Sequence, residues 1–384
     1  MYHQYQDIDE PKNGAHLTSK QMSFNMIKSV IGIGLLSIPF TLKDSGWLFL
    51  IIMALVGLIT YYNAITLGIL VRKYTREVNY IIDYPTLGKF IYGDKCEKFL
   101  KLFWGGEIYM ISLVMVSLAI TFLHEIRFLE NVDKIYIELI VIASYTSFSF
   151  IRDYSRLSFI SLGGLCSIGL LVILVFIKFF TTSHLKTDTK VIDFANIPSC
   201  IGISLFSFGG HVIFPEIFDT LKEKENLNKA ITRCWGIITI FTMGFAVLGF
   251  TIFGKHTFDS IVSDLERGFI KDCLLAALFF NLILSFPLTV NPLLLKIECI
   301  NCILLRIVYM GSLFLICHFW KSFIQMMGLT GVILENATSL IFPPLLILKI
   351  DPNMKLIHKI INIFIVIFGV ITMIIGFIIE VKKF

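Results

Sequence analysis

Residues 22–40, MSFNMIKSVIGIGLLSIPF, decide how the chain is to be read. The stretch is apolar and long enough to cross a membrane, yet Gly32, Gly34 and Pro39 sit in its middle, where an α-helix tolerates them least. They predict a helix broken partway through the bilayer. In hydrocarbon, unwound backbone persists only where its N–H and C=O groups face protein, water or a ligand, because each unsatisfied group is costly. A break at this depth therefore predicts a cavity, and a cavity predicts cargo.

The rest of the composition agrees with a membrane interior. Of 384 residues, 56% are hydrophobic and 16% charged, against about 25% charged in soluble domains, and the mean hydropathy is +0.81. This excludes an ordinary water-soluble globule and predicts an all-α polytopic membrane protein. The first 20 residues are polar, without the basic start, short apolar core and small-residue site of a signal peptide. The expected organisation is a cytoplasmic tail over residues 1–20 and one integral domain over 21–384. A net charge of +5 is spread among the loops rather than gathered in one patch, so no nucleic-acid partner is expected. The eight cysteines fall mostly in or beside apolar segments, and the lone C-x-x-C of Cys299 and Cys302 reads as small buried hydrophobes rather than zinc or redox chemistry. There is no phosphate-cradling G-x4-G-K-[ST], no H-E-x-x-H and no compact Cys/His cluster. The expectation is therefore no enzyme, no cofactor and no metal. Energy for transport has to come from a gradient.

Apolar runs long enough, or nearly so, to cross about 30 Å of hydrocarbon occur about eleven times, near 22–42, 47–71, 102–123, 135–150, 157–180, 196–220, 231–253, 271–295, 302–319, 322–346 and 358–380. With the N-terminus cytoplasmic, the connections on that side hold most of the basic residues: Arg72, Lys73, Arg76, Lys89, Lys95, Lys98 and Lys101 in one, Lys222, Lys224, Lys229 and Arg233 in another. Opposite connections hold fewer, among them Lys43, Arg127, Lys134, Lys186 and Lys255. That bias predicts N-in and, for an odd count, C-out.

A second interrupted span lies five spans after the first, in CIGISLFSFGGHVIFPEIF from Cys200 to Phe218. Gly34 to Pro39 and Gly210 to Pro215 share the spacing G-x4-P. Interrupted helices at matching places in two halves point to the binding site of an inverted-repeat transporter; glycine pairs that serve close helix packing are the other reading.

The residues also resemble a known family. Asn25, Lys28, Ile31, Gly32, Gly34, Leu35, Leu36, Ser37, Pro39 and Phe40, followed by Ser45-Gly46-Trp47, resemble the first-helix signature of the amino acid/auxin permease family. Gly210-His211-Val212-Ile213-Phe214-Pro215-Glu216-Ile217-Phe218, running on through Lys222 and Asn228, resembles its sixth helix. The His-x-x-Phe-Pro run is most similar to the vacuolar amino-acid transporters and the vesicular inhibitory amino-acid transporter-like branch. Gly249 to Gly254 and Asn291-Pro292 to Glu298 fit as well, so the likeness covers nearly the whole chain. It departs in a shorter N-terminal tail and in Gly210, where some relatives carry Cys or Ser. The resemblance implies a LeuT-like fold of two inverted five-helix repeats, about 22–180 and 196–346, with helices 1 and 6 broken and an extra helix near 358–380. It implies secondary active amino-acid transport coupled to protons or, in some branches, sodium, in a vacuolar or lysosomal membrane; the plasma membrane is the other placement. A transporter-like amino-acid sensor signalling through a protein partner is the reading from another class.

For an amino-acid cargo, the chemistry of the breaks assigns roles. Backbone N–H groups of Gly32, Ile33, Gly34, Leu35 and Leu36 are candidates to face the carboxylate at a half-helix N-terminus. Carbonyls around Ser207, Phe208 and Gly209 are candidates for the ammonium, and Ser37, Ser285 and Thr289 for hydroxyl lining. His211 follows the second break and titrates near neutrality, which makes it the first candidate for proton coupling; a neutral histidine donating to a backbone carbonyl is the structural alternative. Glu335, within the tenth span, is a second proton site or a hydrogen-bond partner of a neighbouring helix. Lys28 stands in place of a coupling sodium or reaches out among the lipid headgroups. Glu216 and Asp219 belong to an inner gate with Lys222 or are solvated helix-end charges. Asn336-Ala337-Thr338 matches a glycosylation sequon, but its depth in the membrane argues against modification.

Overall fold

In the computed structural model, the described residues are 18–75, 82–150, 154–182, 190–219, 221–222, 224–297 and 302–383. Most of the expected tail, Arg76, Lys186, Glu298 and Cys299 lie outside them. The described chain is helical throughout: α1 (Ser19–Val30), a 3-10 turn (Ile33–Ser37), α2 (Ile38–Ser45), α3 (Phe49–Tyr74), α4 (Tyr84–Tyr92), α5 (Asp94–Glu125), α6 (Lys134–Ser149), α7 (Tyr154–Thr181), α8 (Ile197–Phe208), α9 (Phe214–Asp219), α10 (Leu227–Phe253), α11 (Phe269–Ile297), α12 (Cys302–Phe319), α13 (Phe323–Thr330), two π-helical turns (Gly331–Glu335 and Ala337–Ile341), α14 (Phe342–Ile350) and α15 (Leu356–Val381).

Among the described residues six helices are long and apolar enough to cross a membrane, or seven when the bent α1–α2 pair is one span; apolar helices of 10–17 residues lie at Cys166–Thr181, Ile197–Phe208 and Ile303–Phe319. The protein is an all-helical integral membrane protein. Its lipid-facing side chains are apolar and exposed, as at Ile51, Leu102, Ile240 and Phe364.

Local chemistry sets the elements that matter here. Thr18 caps α1 by a reciprocal pair: Gln21 N–H donates to Thr18 Oγ1 at 3.3 Å, and Thr18 N–H donates to Gln21 Oε1 at 2.9 Å. The helix then stops at Ile31, and α1 and α2 meet at 41°. Pro39 sits in the first turn of α2, where its missing N–H costs no bond. Gly46 ends α2 at φ +84°. There Asp193 N–H donates to Ser45 O at 2.8 Å and Leu48 N–H to Val191 O at 3.0 Å, so the chain entering α8 pins the α2–α3 corner.

The loop expected between Arg72 and Lys101 is largely helical. Asp83 caps α4, accepting from Thr86 N–H at 2.8 Å, and α4 packs along α5. α5 begins at Asp94, well before its apolar run, because a charged first stretch continues the helix with Glu97 and Lys101 paired at 2.8 Å.

α1, α2, α3, α8, α9 and α10 pack as one group, while α4, α6, α11, α12 and α13 gather around α5. The stretch from α13 through the π turns to α14 touches both groups, and α15 closes over it from outside. The two helix breaks and the π turns meet at that junction.

Candidate functional site

The first break is the 3-10 turn Ile33–Ser37. Ile33 and Gly34 open this turn, so their N–H groups have no carbonyl a turn earlier within it. Ser37 Oγ is buried without a hydrogen-bond partner among the described residues. Farther along, the Leu36 carbonyl accepts from Ile261 N–H at 2.9 Å, and Leu35 is buried.

Across from it, α8 ends at Phe208 and α9 starts at Phe214. Gly210 between them has φ +111°, a conformation other residues rarely adopt. The two breaks touch. A Cβ on Gly34 would stand 2.6 Å from Ser207 Cα and 2.7 Å from its Oγ. The Ser207 hydroxyl lies 3.0 Å from Gly34 O and 2.8 Å from Ile203 O, so its one hydrogen joins the two broken spans.

Gly209 rests on the carboxyl group of Glu335, which leaves no room for a Cβ. Glu335 comes from the π-helical part of the tenth expected span. A π turn shifts the carbonyl pairing by one residue, and carbonyls here are met by side chains instead. Asn63 Nδ2 donates to Ser339 O at 2.7 Å, and Tyr84 OH donates to Thr338 O at 2.6 Å.

His211 is fully buried beside the second break. Its Nε2 lies 3.0 Å from Thr60 O and its Nδ1 2.8 Å from Ser339 Oγ. A carbonyl only accepts, so Nε2 carries hydrogen. Ser339 Oγ in turn lies 3.3 Å from Glu335 Oε2. The chain His211–Ser339–Glu335 is then fully bonded in two proton arrangements. With a neutral ring, Ser339 donates to Nδ1 and a protonated Glu335 donates to Ser339. With an imidazolium, Nδ1–H donates to Ser339, which donates to a Glu335 carboxylate. Moving one proton along the chain interconverts them. Phe214 and Trp235 wall in the imidazole at centroid distances of 5.0 and 5.5 Å, and Trp235 Nε1 donates to Gly57 O at 3.0 Å.

The other expected residues fall as follows. Phe208 is fully buried at the end of α8. Lys28 is half-buried on α1, with no acid paired to it among the described residues. Ser285 Oγ donates to Asn281 Oδ1 and Thr289 Oγ1 to Ser285 O, both at 3.3 Å, inside α11, which packs mainly on α5, α6 and α7. Their hydrogen bonds do not connect them to the breaks. Asp219 is not a solvated helix end: it is 6% exposed, accepts from Thr75 Oγ1 at 2.6 Å and Ile82 N–H at 3.1 Å, and pairs with Lys224 at 3.2 Å. Asn336 is buried and donates to Thr372 Oγ1 at 2.9 Å, so its sequon is closed to an enzyme. Among the described residues no group of three or more His, Cys, Asp or Glu is placed to hold a metal ion.

Sequence reasoning missed Ser339 and Glu107. Ser339 lies four residues after Glu335, and Glu107 is a carboxylate inside the third expected span. The criterion that singled out Glu335, an ionisable group at membrane depth, applies to Glu107 as well.

A helical integral membrane protein whose interrupted helices converge on buried ionisable groups has the architecture of a membrane transporter. The chain belongs to the family described as transmembrane amino acid transporter protein, whose model matches residues 15–381. It is 25% identical over 93% of its length to Amino acid transporter AVT1C of Arabidopsis thaliana, covering 68% of that protein. It is 26% identical to Amino acid transporter AVT1E of the same plant, over 76% of this chain and 57% of that one. To the Vesicular GABA transporter of Caenorhabditis elegans it is 24% identical, over 73% of this chain and 58% of that one. The chain thus spans 57–68% of the length of these relatives.

Proposed function

We propose that this protein is a secondary active amino-acid transporter, driven by protons, that works by alternating access around the two broken spans. The observation that carries the reading is the direct contact of the breaks at Gly34 and Ser207 beside the His211–Ser339–Glu335 chain. Open N–H groups at Ile33 and Gly34, with the unpartnered Ser37 hydroxyl, suit a substrate carboxylate. A histidine joined through a hydroxyl to a carboxyl group suits a proton that moves with the cargo.

In this reading the helices form eleven spans: two inverted repeats of five, each beginning with a broken span, and α15 as the eleventh. The N-terminus is cytoplasmic, and the membrane is vacuolar or lysosomal, in keeping with the family resemblance and the vesicular relative.

The test is uptake of radiolabelled amino acids into proteoliposomes under an imposed pH gradient without sodium. Accumulation that collapses on adding a protonophore is expected. Accumulation only under a sodium gradient would overturn proton coupling, and binding without flux under either gradient would overturn transport. His211→Gln separates the histidine's part, because glutamine still offers a donor to Thr60 O and an acceptor to Ser339 but does not titrate. The variant is expected to exchange amino acids across the membrane while losing gradient-driven accumulation. Uptake as large and as pH-dependent as the wild type would exclude the role.

A further inference from the structure

Glu107 of α5 is fully buried, and its carboxyl faces Glu335. Among the described residues, neither Glu107 oxygen has a hydrogen-bond partner of good geometry. The Thr338 hydroxyl also reaches this carboxyl, but its one hydrogen is shared with Leu334 O at 3.1 Å and Glu335 O at 3.4 Å. Glu335, by contrast, has donors around it: Gly210 N–H and, in one proton arrangement, Ser339. Among the described residues the other titratable groups at the pair are Tyr84 on α4 and, through Ser339, His211 beside the second break; no lysine or arginine acts on either carboxyl.

Two buried carboxylates side by side without a cation repel each other and lose hydration, so this arrangement needs at least one proton. The donors decide where it sits. A carboxylate is acceptor-only, and Glu107 has at most the shared Thr338 hydroxyl to accept from; as an acid it gains an O–H to donate to Glu335. The same holds in both proton arrangements of the His211–Ser339–Glu335 chain.

We propose that Glu107 is a proton-binding residue of this protein, protonated while the junction is closed, with its O–H given to Glu335. Opening the junction to water separates the two carboxyls, and Glu107 then releases its proton to bulk as a carboxylate. The proposal rests on the proton-coupled reading above only for its consequence in transport; the protonation stands on the geometry of the pair.

Infrared difference spectroscopy on the full chain in lipid bilayers, titrated over pH in H2O and D2O, reads this directly. The wild type is expected to show a carbonyl-stretch band of a protonated carboxylic acid that shifts in D2O. Glu107→Gln should abolish that component, and Glu335→Gln should keep it at a shifted frequency, because the glutamine carbonyl still accepts the Glu107 O–H. A band unchanged in E107Q, or lost in folded E335Q, would overturn the proposal, and the second result decides even if E107Q does not fold. In proteoliposomes, E107Q is expected to lose proton-driven accumulation and to retain amino-acid exchange; accumulation equal to the wild type would also overturn it. If the wild type moves no amino acid at all, the transport reading falls while the infrared assignment is still decided.

Discussion

Gly34→Ala tests whether the two breaks touch in the state the protein populates. The added methyl would stand 2.6 Å from Ser207 Cα and 2.7 Å from Ser207 Oγ, inside any ordinary contact distance. The first of these atoms is backbone, so no rotamer change relieves the overlap; the 3-10 turn or α8 must move. Overpacking of this kind costs about 1–3 kcal/mol, and losing the Ser207 hydrogen bond to Gly34 O adds about 0.5–1.5 kcal/mol. The variant should be roughly 2–4 kcal/mol less stable than wild type, on the order of a 30- to 1,000-fold change in the folded-to-unfolded ratio.

Equilibrium unfolding of the purified protein in mixed micelles with rising SDS fraction measures the difference. Gly236→Ala is the matched control, because a Cβ there meets nothing within 4 Å and the position lies inside α10; it should be neutral or slightly stabilising. Adding Ser207→Ala to Gly34→Ala should not rescue, since the Cα overlap remains. Equal stability of Gly34→Ala and wild type, or rescue by Ser207→Ala, would refute the contact and with it the geometry of the site.

Two further outcomes follow from groups near the membrane surfaces. Asp264, in the connection between α10 and α11, has its carboxyl pushed up to about 7 chiefly by burial. The folded state therefore keeps a proton that the unfolded chain releases near 3.8, and stability falls as pH rises from about 4 to about 7. Asp264→Asn keeps an acceptor for the Phe258 N–H and should flatten that slope in thermal unfolding followed over this window; an unchanged slope would assign the pH dependence elsewhere. Asp219→Ala leaves the buried Ile82 N–H without its acceptor and should lower stability by about 1–3 kcal/mol in the SDS titration. Asp219→Asn keeps one oxygen to accept from Ile82 N–H while its amide group turns a donor toward Thr75 Oγ1, and should lose less than Asp219→Ala; equal losses in the two variants would show that the backbone contact carries no weight.

The breaks were legible because they follow from covalent structure. Glycine and proline restrict backbone conformation wherever they occur, and Gly32, Gly34, Gly210 and Pro215 mark in one dimension where the helices stop. Helix positions were legible for a similar reason: long apolar runs have few other ways to satisfy their backbone in lipid. α4 was not, because Pro85, Gly88 and Gly93 around a short helix give the composition of a loop. The π turns left no mark either. Their residues, GVILENATSLI, have an ordinary apolar composition, and the altered carbonyl pairing appears only with Asn63 and Tyr84 in place. Ser207 was chosen for its carbonyl, whereas its hydroxyl joins the breaks. Pairings such as Gly34 with Ser207, or Glu107 with Glu335, join residues more than a hundred positions apart, and one chain holds no local signal of them.

The position of these irregular turns also limits how the junction opens. Gly34 O, Thr60 O, Thr338 O and Ser339 O each accept from a side chain on another span. Pulling those helices apart toward lipid would strand these carbonyls in hydrocarbon, together with the Glu107 and Glu335 carboxyls, at several kcal/mol for each group. Parting them toward an aqueous face lets water replace each donor at little net cost. The same donors that close the site therefore confine its opening to the two sides of the membrane, which is the direction in which a cargo has to leave.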